Sequence, residues 1–375
     1  MHRRTLLGGL ILAPFASATL AQTPQPDPIG FVPDPELVAR ATALLERHPA
    51  IDTHAHPGRT YARSLITDPA GAEAAAFEGR VVADMRAGRL AAASFAAVAD
   101  ATVLRPTAAG MGVGRDFQPG EAMAVYRRQI ADLHRVAQAN GLPIIKTPDD
   151  LDRCVGGAAP GMIITVEGGD FLSGDPAGLL AARDRDDVRI ITLVHYRPNE
   201  LADNQTSPPR FNGLSPEGKA VVREMARLGL VIDMAHAAET SVHQAMDAAG
   251  GPLLCSHTHI KTAAYDHPRF ITADTARAIA AAGGVVGSWP SGFGGTTLKD
   301  FADRIFALTD AVGPDHVALG TDMDGNYRPT LSNYRQMPLL VSELLRRGYG
   351  EDTVVGLLGG NMRRLFRANW AARRA

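Results

Sequence analysis

Two histidines spaced two residues apart, His54 and His56, are the first residues whose type and spacing suggest chemistry. They stand at the end of a short apolar run and are followed by Pro57-Gly58, a pair that interrupts regular structure. On a β-strand, side chains at i and i+2 point to the same face, so the two imidazoles would face one metal ion. In a solvated turn the same pair would bind nothing. The rest of the chain has to supply matching ligands for a metal-dependent hydrolase to be the better interpretation.

Further ligand-type residues stand at the ends of later apolar runs. Six of the twelve histidines lie at such ends or just past them. The residues of interest there, besides the first pair, are Glu167, His195, His236, His257, His259 and Asp322. Imidazoles and carboxylates together suit zinc and similar divalent ions. A carboxylate among several imidazoles can bridge two ions, and two-metal sites activate water for attack on a carbonyl or phosphoryl group.

The elements that would position these residues are eight apolar runs separated by amphipathic stretches. The runs are Ala50–His54, Ala91–Ala99, Met162–Glu167, Val188–His195, Leu228–His236, Pro252–His257, Gly284–Trp289 and His316–Asp322. Helices are predicted over Gly120–Asn140, Ser215–Leu228, Glu239–Ala249, Ala273–Ala282 and Leu298–Val312. Such alternation indicates a parallel sheet.

Eight strand–helix units favour an α/β fold of the TIM type, a single (β/α)8 barrel, in which chemistry lies at the carboxyl ends of the strands. A doubly wound open sheet is the alternative. A dinucleotide-binding site in such a sheet is not supported, because no Gly-x-Gly-x-x-Gly follows an early strand. The segment Thr102–Pro119 is rich in Gly, Pro and Thr and is predicted to form an irregular loop over the barrel mouth.

The motifs at these ends resemble those of the renal (membrane) dipeptidase family, which belongs to the amidohydrolase-like metal barrels. The resemblance runs in the same order from about residue 49 to residue 367. It rests on Ile51-Asp52-Thr53-His54, Val166-Glu167-Gly168-Gly169, Thr192–His195 with Ala202-Asp203-Asn204, Gly213–Gly218, Ile232–His236, Ser256-His257, His267-Pro268-Arg269, Asp322–Gly325 and Gly359-Gly360-Asn361.

The resemblance implies a site with two divalent metal ions, most simply Zn²⁺, that hydrolyses the peptide bond of dipeptides with an activated water. His54 and His56 would hold one ion, His236 and His257 the other, and Glu167 both, with Asp322 beside the first ion. Asp322 would also carry the proton of the attacking water, and His195 would steady the oxyanion. Arg269 would hold the terminal carboxylate of the substrate through its planar guanidinium.

The chain departs from the family pattern at one ligand. The family usually has His-x-Asp where this chain has His54-Ala55-His56. An imidazole in place of a carboxylate raises the net charge of the site by one. His259, two residues past His257, is expected in the pocket wall or at the surface rather than as a ligand. Asp233 is expected to orient a loop or a ligand, and Asp324 to shape the turn after Asp322.

Other activities remain open on the sequence. Related amidohydrolases act on N-acyl amino acids, lactones or other small amides, and the ligand motifs do not separate these from dipeptidases. A phosphotriesterase with a carboxylated lysine is less favoured, because no lysine stands at the end of an apolar run. A binding protein that has lost catalysis is disfavoured, because Glu167, His195 and Asp322 are all present.

Composition excludes some partners. The apolar fraction of 45% and charged fraction of 21% are those of a globular protein, and the net charge of −2 gives no reason to expect nucleic acid or an anionic membrane. The expected partner is a small-molecule dipeptide, with no membrane anchor and with a homodimer left open. Cys154 and Cys255 are the only cysteines, and a disulfide between them is the less favoured alternative to a buried Cys255.

The first residues have the plan of an export signal. A basic start with Arg3-Arg4 precedes the apolar stretch Leu6–Phe15 and then small residues up to Ala21. Residues 1–21 are therefore assigned to a signal peptide, with twin-arginine export favoured over the general secretory route, and a periplasmic or secreted location is expected. Residues 22–48, with five prolines between Gln22 and Pro35, are assigned to an extended arm, and residues 49–375 to the barrel.

Overall fold

A computed structural model of the chain describes residues 29–64, 71–107, 110–263 and 265–373. The predicted signal peptide, residues 1–21, and residues 22–28 of the predicted arm lie outside the described residues. Within them, the strands are β1 (Ala50–Ala55), β2 (Leu90–Val98), β3 (Leu104–Thr107), β4 (Gly110–Val113), β5 (Gly161–Glu167), β6 (Val188–Thr192), β7 (Val231–Asp233), β8 (Leu254–Thr258), β9 (Val285–Ser288) and β10 (Val317–Leu319).

Eight of these strands form a closed parallel barrel. They follow one another around it in the order β1, β2, β5, β6, β7, β8, β9, β10, and β10 pairs with β1 to close it. Every residue of these eight strands is buried, as expected for a parallel sheet covered by helices on one face and filled by side chains on the other. All eight predicted runs are strands of this barrel, which confirms the TIM-type fold.

Helices follow the strands and cover the barrel. The α-helices within the described residues are α1 (Pro35–Arg47), α2 (Gly71–Ala87), α3 (Glu121–Asn140), α4 (Pro148–Val155), α5 (Gly178–Asp184), α6 (Pro216–Leu228), α7 (Glu239–Ala249), α8 (Ala273–Ala281), α9 (Leu298–Val312), α10 (Met337–Arg346), α11 (Glu351–Val355) and α12 (Asn361–Ala372). Their starts have the expected chemistry. Ser215 caps α6 by accepting from the amide of Gly218 at 2.9 Å, and Thr272 caps α8 by accepting from Thr275 at 3.2 Å.

Part of the segment assigned to an extended arm is helical. Residues 35–47 form α1, because Asp34 caps its first turn, Pro35 suits the first helical position, and Ala41, Leu44 and Leu45 form a buried face. That face packs into the main hydrophobic core, and α1 lies against α10. The prolines of residues 22–35 indicated extended chain, and the apolar spacing after them is what makes the later part a helix.

The loop predicted over the barrel mouth contains regular structure. Strands β3 and β4 pair with each other in an antiparallel hairpin outside the barrel, with Leu104 opposite Val113 and Thr107 opposite Gly110. Gly110 has a φ of 118°, which lets the chain turn back at this point. The segment lies at the mouth as predicted, and it combines this hairpin with irregular chain over residues 114–119. The strands are too short and too exposed to show an alternating pattern in the sequence.

Close backbone packing inside the barrel depends on a glycine after β10. A Cβ built on Gly320 would lie 1.8 Å from the carbonyl oxygen of Ser256 at β8. The hydroxyl of Thr53 fills the neighbouring space and donates to the carbonyl oxygens of Ser256 and Leu319 at 2.8 and 2.7 Å. Contacts of this kind hold β1, β8 and β10 together at the level of the candidate site.

Both cysteines are free and buried. Cys255 lies on β8 as predicted, and Cys154 lies on α4, so the less favoured disulfide is not formed. Among the described residues, none of the helices combines the length and the apolar character needed to cross a bilayer.

Candidate metal centre

Six different barrel strands deliver the ligand-type residues to one place. His54 and His56 lie at the end of β1, Glu167 is the last residue of β5, and His257 is in β8. Three more residues each stand three positions after a strand: His195 after β6, His236 after β7 and Asp322 after β10. All seven are buried. The structure therefore brings together every residue that the resemblance named as a ligand or proton carrier.

Glu167 is at the middle of this cluster. Its Oε1 lies 3.3 Å from His54 Nε2, 3.0 Å from His236 Nε2 and 3.6 Å from His257 Nε2. Its Oε2 lies 3.4 Å from His56 Nε2 and 3.5 Å from His195 Nε2. Burial raises the pKa of this carboxyl, but the surrounding imidazoles, His195 and His54 first among them, hold the pKa well below its usual range. Glu167 is thus an anion that faces imidazoles on both of its oxygens.

The other contacts divide the cluster into two sides. On one side, His56 Nε2 lies 3.3 Å from His54 Nε2 and 3.2 Å from Asp322 Oδ1. On the other side, His236 Nε2 lies 3.0 Å from His257 Nε2. Burial and neighbouring cationic groups hold the pKa values of His236 and His257 well below the usual value for histidine, which favours the neutral form that binds metal.

The arrangement fits divalent metal ions. Ligand atoms within 4.8 Å of one another form three overlapping groups: His54, His56 and Asp322; His54, Glu167 and His257; and Glu167, His195 and His236. The Nε2 atoms of His54 and His56 lie 3.3 Å apart and those of His236 and His257 lie 3.0 Å apart, and a cation bound by both nitrogens of a pair suits such close approach. The donor set of nitrogen and carboxylate oxygen is the one that zinc and related ions bind.

Two buried carboxylates fix the strand ends that bear the ligands. Asp52 accepts from the amides of Thr321 and His54 at 2.9 and 3.2 Å, from the Thr321 hydroxyl, and from the Tyr334 hydroxyl at 2.9 Å. It thereby joins the end of β1 to the chain just before Asp322. Burial raises the pKa of Asp52 to about 6, although these hydrogen bonds lower it.

Asp233 makes the corresponding connection on the other side. It accepts from the Thr192 hydroxyl at 2.6 Å, from the Ser256 hydroxyl and amide at 2.7 and 2.8 Å, and from the amide of Ala235 at 3.0 Å. The carboxylate therefore ties β6, β7 and β8 together beside His236 and His257. This contact set agrees with the predicted orienting role, since the Ser256 hydroxyl that Asp233 holds also lies 3.0 Å from His257 Nδ1.

Local backbone strain occurs at the site. His236, Asp322 and Asp324 have φ values of 66°, 51° and 66°, in the left-handed region that residues with a Cβ rarely adopt. Asp324 accepts from the amide of Gly58 at 2.8 Å and so joins the turn after β10 to the turn after β1. This contact supports the prediction that Asp324 shapes the turn.

His195 is oriented by a carboxylate that the sequence interpretation missed. His195 Nδ1 lies 2.6 Å from Asp100 Oδ1, so Nδ1 donates to the carboxylate and Nε2 faces the cavity. Burial lowers the pKa of His195, but Asp100 and Glu167 raise it above its usual value overall. Asp100 directly follows the apolar run Ala91–Ala99, so its position at a strand end was a usable signal.

Arg197 links Asp100 to a second buried carboxylate, Asp170. Arg197 donates its backbone amide to Asp100 at 2.8 Å and its guanidinium to Asp170 at 2.9 Å. Asn199 also donates to Asp170, at 3.4 Å. Burial and the charge of Asp100 raise the pKa of Asp170 to about 7. Arg197 therefore holds two acidic side chains beside the oriented histidine.

Arg269 lies next to the second side of the cluster. Its Nη2 is 3.1 Å from His257 Nε2, its Nη1 donates to the side-chain oxygen of Gln205, and its Cζ lies 5.3 Å from the centre of the Trp289 ring. The side chain is buried in the protein but lines the cavity above the cluster. A planar cation in this place can bind an anionic group of a molecule held at the cluster.

The cluster opens into a cavity of about 830 Å³ at the carboxyl ends of the strands. Its polar lining includes the cluster, Arg269, His267, Thr107 and Thr206, and much of the rest is apolar or aromatic. The aromatic and apolar lining residues include Tyr61, Leu104, Met111, Tyr196, Trp289, Phe293 and Tyr327. This volume suits a small molecule rather than a polymer.

His259 lies apart from the cluster. It is buried against Phe270, with ring centres 5.3 Å apart, and is neither in a ligand group nor in the cavity lining. Burial lowers its pKa to about 3. The expectation of a pocket-wall or surface position is therefore corrected: His259 is a buried histidine that packs against Phe270 and Tyr265.

Comparison with known proteins places the chain among metallopeptidases. A family model described as Membrane dipeptidase (Peptidase family M19) matches residues 38–375. Dipeptidase verJ of Clonostachys rogersoniana is 28% identical over 255 residues, which cover 66% of this chain and 65% of that protein. For other curated relatives, such as Dipeptidase 3 of Rattus norvegicus, the match covers about half of the relative, 53%. The chain thus spans less than two thirds of these relatives' length.

Solved structures share the fold. The probable dipeptidase PvdM from Pseudomonas aeruginosa superimposes with a TM-score of 0.75 and 19% identity, over 90% of this chain and 99% of that one. A metallo peptidase from Rhodobacter sphaeroides, solved with a phosphinate mimic of the dipeptide L-Ala-D-Ala, gives a TM-score of 0.72 and 20% identity, over 86% of this chain and 99% of that one.

Proposed function

Since the chain belongs to the membrane dipeptidase family, peptidase family M19, we propose that it is a metal-dependent hydrolase of dipeptides. The observation that carries the proposal is the central Glu167, whose two oxygens face five imidazole nitrogens from four strand ends. A buried carboxylate with that environment is suited to bridging two cations. The adjacent Arg269 supplies the charge that a substrate carboxylate requires.

The proposed cofactor is a pair of zinc ions. His54 and His56 would hold one ion with Asp322 beside it, His236 and His257 would hold the other, and Glu167 would contact both. When bound, the ions would lower the pKa of water and polarise the peptide carbonyl.

The proposed reaction assigns a proton and an oxyanion to particular side chains. As the oxygen of water bonds to the peptide carbon, the Asp322 carboxylate would take the proton and then deliver it to the amine nitrogen when the carbon–nitrogen bond breaks. His195 Nε2–H would donate to the carbonyl oxygen as it becomes negative, because Asp100 holds the ring with Nε2 toward the cavity. Arg269 would hold the terminal carboxylate of the substrate.

N-acyl amino acids are the second candidate substrates. Among the described residues that line the cavity, Glu167 and Asp322 are the acidic side chains, and both contact histidines of the cluster. A free α-ammonium group in this cavity would lie among the imidazoles of the cluster, whereas an acylated nitrogen carries no charge. This charge distribution favours an acyl group on the amino side, and the same Arg269 would bind the carboxylate of either class.

The proposal is tested by metal analysis followed by a substrate screen. Protein purified without added metal is expected to contain or to bind two equivalents of zinc per chain. The loaded protein is then assayed with Ala-Ala and N-acetylalanine, each with both stereoisomers of the carboxyl-terminal residue. Glu167→Gln should abolish hydrolysis and reduce metal content, and Glu46→Gln, an exposed glutamate on α1, is the control.

The outcomes of this experiment separate the two substrate classes. Faster hydrolysis of the dipeptides supports a dipeptidase, and faster hydrolysis of the N-acetyl compounds supports the second candidate. A fully zinc-loaded protein that cleaves neither compound would contradict both proposals.

We also propose a periplasmic or secreted location reached by twin-arginine export, on the basis of Arg3-Arg4 and the apolar stretch after them. A reporter fused after residue 21 should be exported, and Arg3→Lys with Arg4→Lys should block export if the twin-arginine route is used. A homodimer, which the sequence leaves open, would give a particle of twice the chain mass by light scattering.

A further inference from the structure

We propose that Trp289, Phe293 and Tyr327, named here the aromatic wall, form a subsite for a large apolar side chain on the carboxyl-terminal residue of the substrate. The inference rests on the proposed function, because it takes Arg269 to hold the carboxylate of that residue. It specifies the preferred substrates as those that end in a residue such as phenylalanine or leucine.

The aromatic wall runs from the metal centre to the mouth of the cavity. The Trp289 ring lies 5.7 Å from the His257 ring, the Phe293 ring 5.7 Å from Trp289, and the Tyr327 ring 5.3 Å from Phe293, centre to centre. Phe293 stacks with Tyr327 at 22° and also with His267, whose ring centre is 3.9 Å away, so these rings form one fixed aromatic stack at the cavity. Planar faces of this kind bind apolar and aromatic groups.

The position of Arg269 determines which substrate residue meets the wall. Its guanidinium lies between His257 and Trp289, 3.1 Å from the first and with Cζ 5.3 Å from the ring centre of the second. A carboxylate held there places its α-carbon beside Trp289. A side chain on that carbon then extends over Phe293 toward Tyr327, whereas a side chain on the other residue of the dipeptide starts across the scissile bond.

The wall is built rigidly before any substrate binds. The buried guanidinium of Arg304 donates to the carbonyl oxygens of Trp289 at 3.0 Å, of Ser291 at 2.7 Å and of Phe293. The loop that bears Tyr327 is attached to this one, because Gly292 N donates to Tyr327 O at 2.8 Å and Thr330 N to Pro290 O at 2.8 Å. A fixed surface loses little conformational entropy on binding.

Part of the apolar surface of the aromatic wall is exposed to water. Four large apolar side chains are exposed among the described residues: Val32, Met111, Leu180 and Tyr327. Two of them, Met111 on the β3–β4 hairpin and Tyr327 on the wall, line this cavity. Removing such surface from water favours binding of an apolar group at the mouth.

The test uses metal-loaded protein and three dipeptides, Ala-Phe, Phe-Ala and Ala-Ala, with both stereoisomers at the second residue. In the Tyr327→Ala variant, kcat/KM for Ala-Phe should fall about tenfold more than kcat/KM for Ala-Ala, mainly through KM. The control is Leu180→Ala on α5, since Leu180 is 49% exposed and Tyr327 is 51% exposed. An equal fall for all three dipeptides, or a larger fall for Phe-Ala, would overturn the assignment.

A binding measurement separates this inference from the proposed function. Calorimetry on the metal-loaded protein compares N-acetylphenylalanine with N-acetylalanine. Tighter binding of the phenylalanine compound that is lost in Tyr327→Ala supports the subsite even if no dipeptide is hydrolysed, in which case only the proposed function fails. Equal binding of the two compounds to the unaltered protein would overturn the subsite, whatever the hydrolysis assays give.

Discussion

His56 is the ligand at which this chain differs from the usual pattern of its family, and its contacts support a direct role in metal binding. Its Nε2 faces both Glu167 and Asp322, and its Nδ1 lies 3.2 Å from the carbonyl oxygen of Ala96. That second contact fixes the ring with Nε2 toward the cluster, as is common for histidines that bind metal. The sequence spacing alone did not distinguish this arrangement from a turn.

Replacing His56 should remove one metal without unfolding the protein. We expect His56→Ala to weaken binding of one of two zinc ions by at least about 100-fold, since even indirect partners of a ligand contribute 10–100-fold. Zinc titration with a colorimetric chelator measures this, and His48→Ala, an exposed histidine, is the control. Two tightly bound ions in His56→Ala would exclude His56 as a ligand.

Asp100 should affect catalysis through His195 rather than through the metal. Asp100→Asn removes the anion that makes Nδ1 of His195 a donor, so the ring is no longer held with Nε2–H toward the substrate. We expect kcat to fall about 100-fold, with KM and zinc content nearly unchanged. Asp247→Asn on α7, an exposed aspartate, should behave as the unaltered protein. A fall in zinc content equal to the fall in kcat would instead indicate a structural role.

Asp170 should make stability depend on pH. Burial and Asp100 raise its pKa to about 7 in the folded protein. An acid whose pKa is raised on folding is protonated more readily in the folded state, so its contribution to stability is lost as pH rises from about 4 to about 7. Asp170→Asn cannot titrate. The free energy of unfolding of the variant relative to the unaltered protein should therefore rise across this range by on the order of 1 kcal/mol or more. Urea denaturation at pH 5 and pH 8 measures it, and a constant difference would contradict the prediction.

At the scale of elements, the barrel tolerates no side chain at Gly320. A Cβ at this position would lie only 1.8 Å from the carbonyl oxygen of Ser256, so the absence of a side chain leaves room for that carbonyl. Gly320→Ala should lower the free energy of unfolding by at least about 2 kcal/mol through overpacking. Gly251→Ala is the matched control, because a Cβ there meets nothing within 4 Å, and it should stay within about 0.5 kcal/mol. Chemical denaturation of both variants decides the point.

The barrel strands and five of the twelve α-helices in the described residues could be predicted from the sequence, because buried parallel strands are apolar and the stretches between them are amphipathic. The β3–β4 hairpin could not, since its exposed residues give no alternating pattern. Helix α1 was missed because the prolines before it were given more weight than the buried face formed by Ala41, Leu44 and Leu45.

The cluster was predictable for a related reason, and its surroundings were not. Residues at the carboxyl ends of parallel strands meet at one end of a barrel, so His54, Glu167, His236 and His257 could be grouped from their positions alone. The aromatic wall, by contrast, is formed by loops whose relation depends on Arg304 and on backbone hydrogen bonds. Such contacts produce no periodic pattern in the sequence from which they could be predicted.

At the scale of the whole molecule, the metal centre should contribute to the stability of the barrel, because its ligands come from strands spaced all around it. Free zinc at about 100 times the dissociation constant should raise the free energy of unfolding by about 2.7 kcal/mol for each site. Denaturation after chelation and after zinc is restored measures the gain. The Glu167→Gln variant should lose most of this zinc-dependent gain in the free energy of unfolding. Equal stability with and without zinc in the unaltered protein would contradict the prediction.

The β3–β4 hairpin affects how the substrate range of this protein can evolve. Its strands pair with each other and not with the barrel, yet Leu104 and Met111 line the cavity. Substitutions, insertions or exchange of the whole hairpin would alter what the cavity admits while leaving the strand ends and their ligands in place. Diversification of substrate range and retention of the chemistry are therefore separable in this molecule, and a library confined to residues 104–113 is the direct route to new specificities.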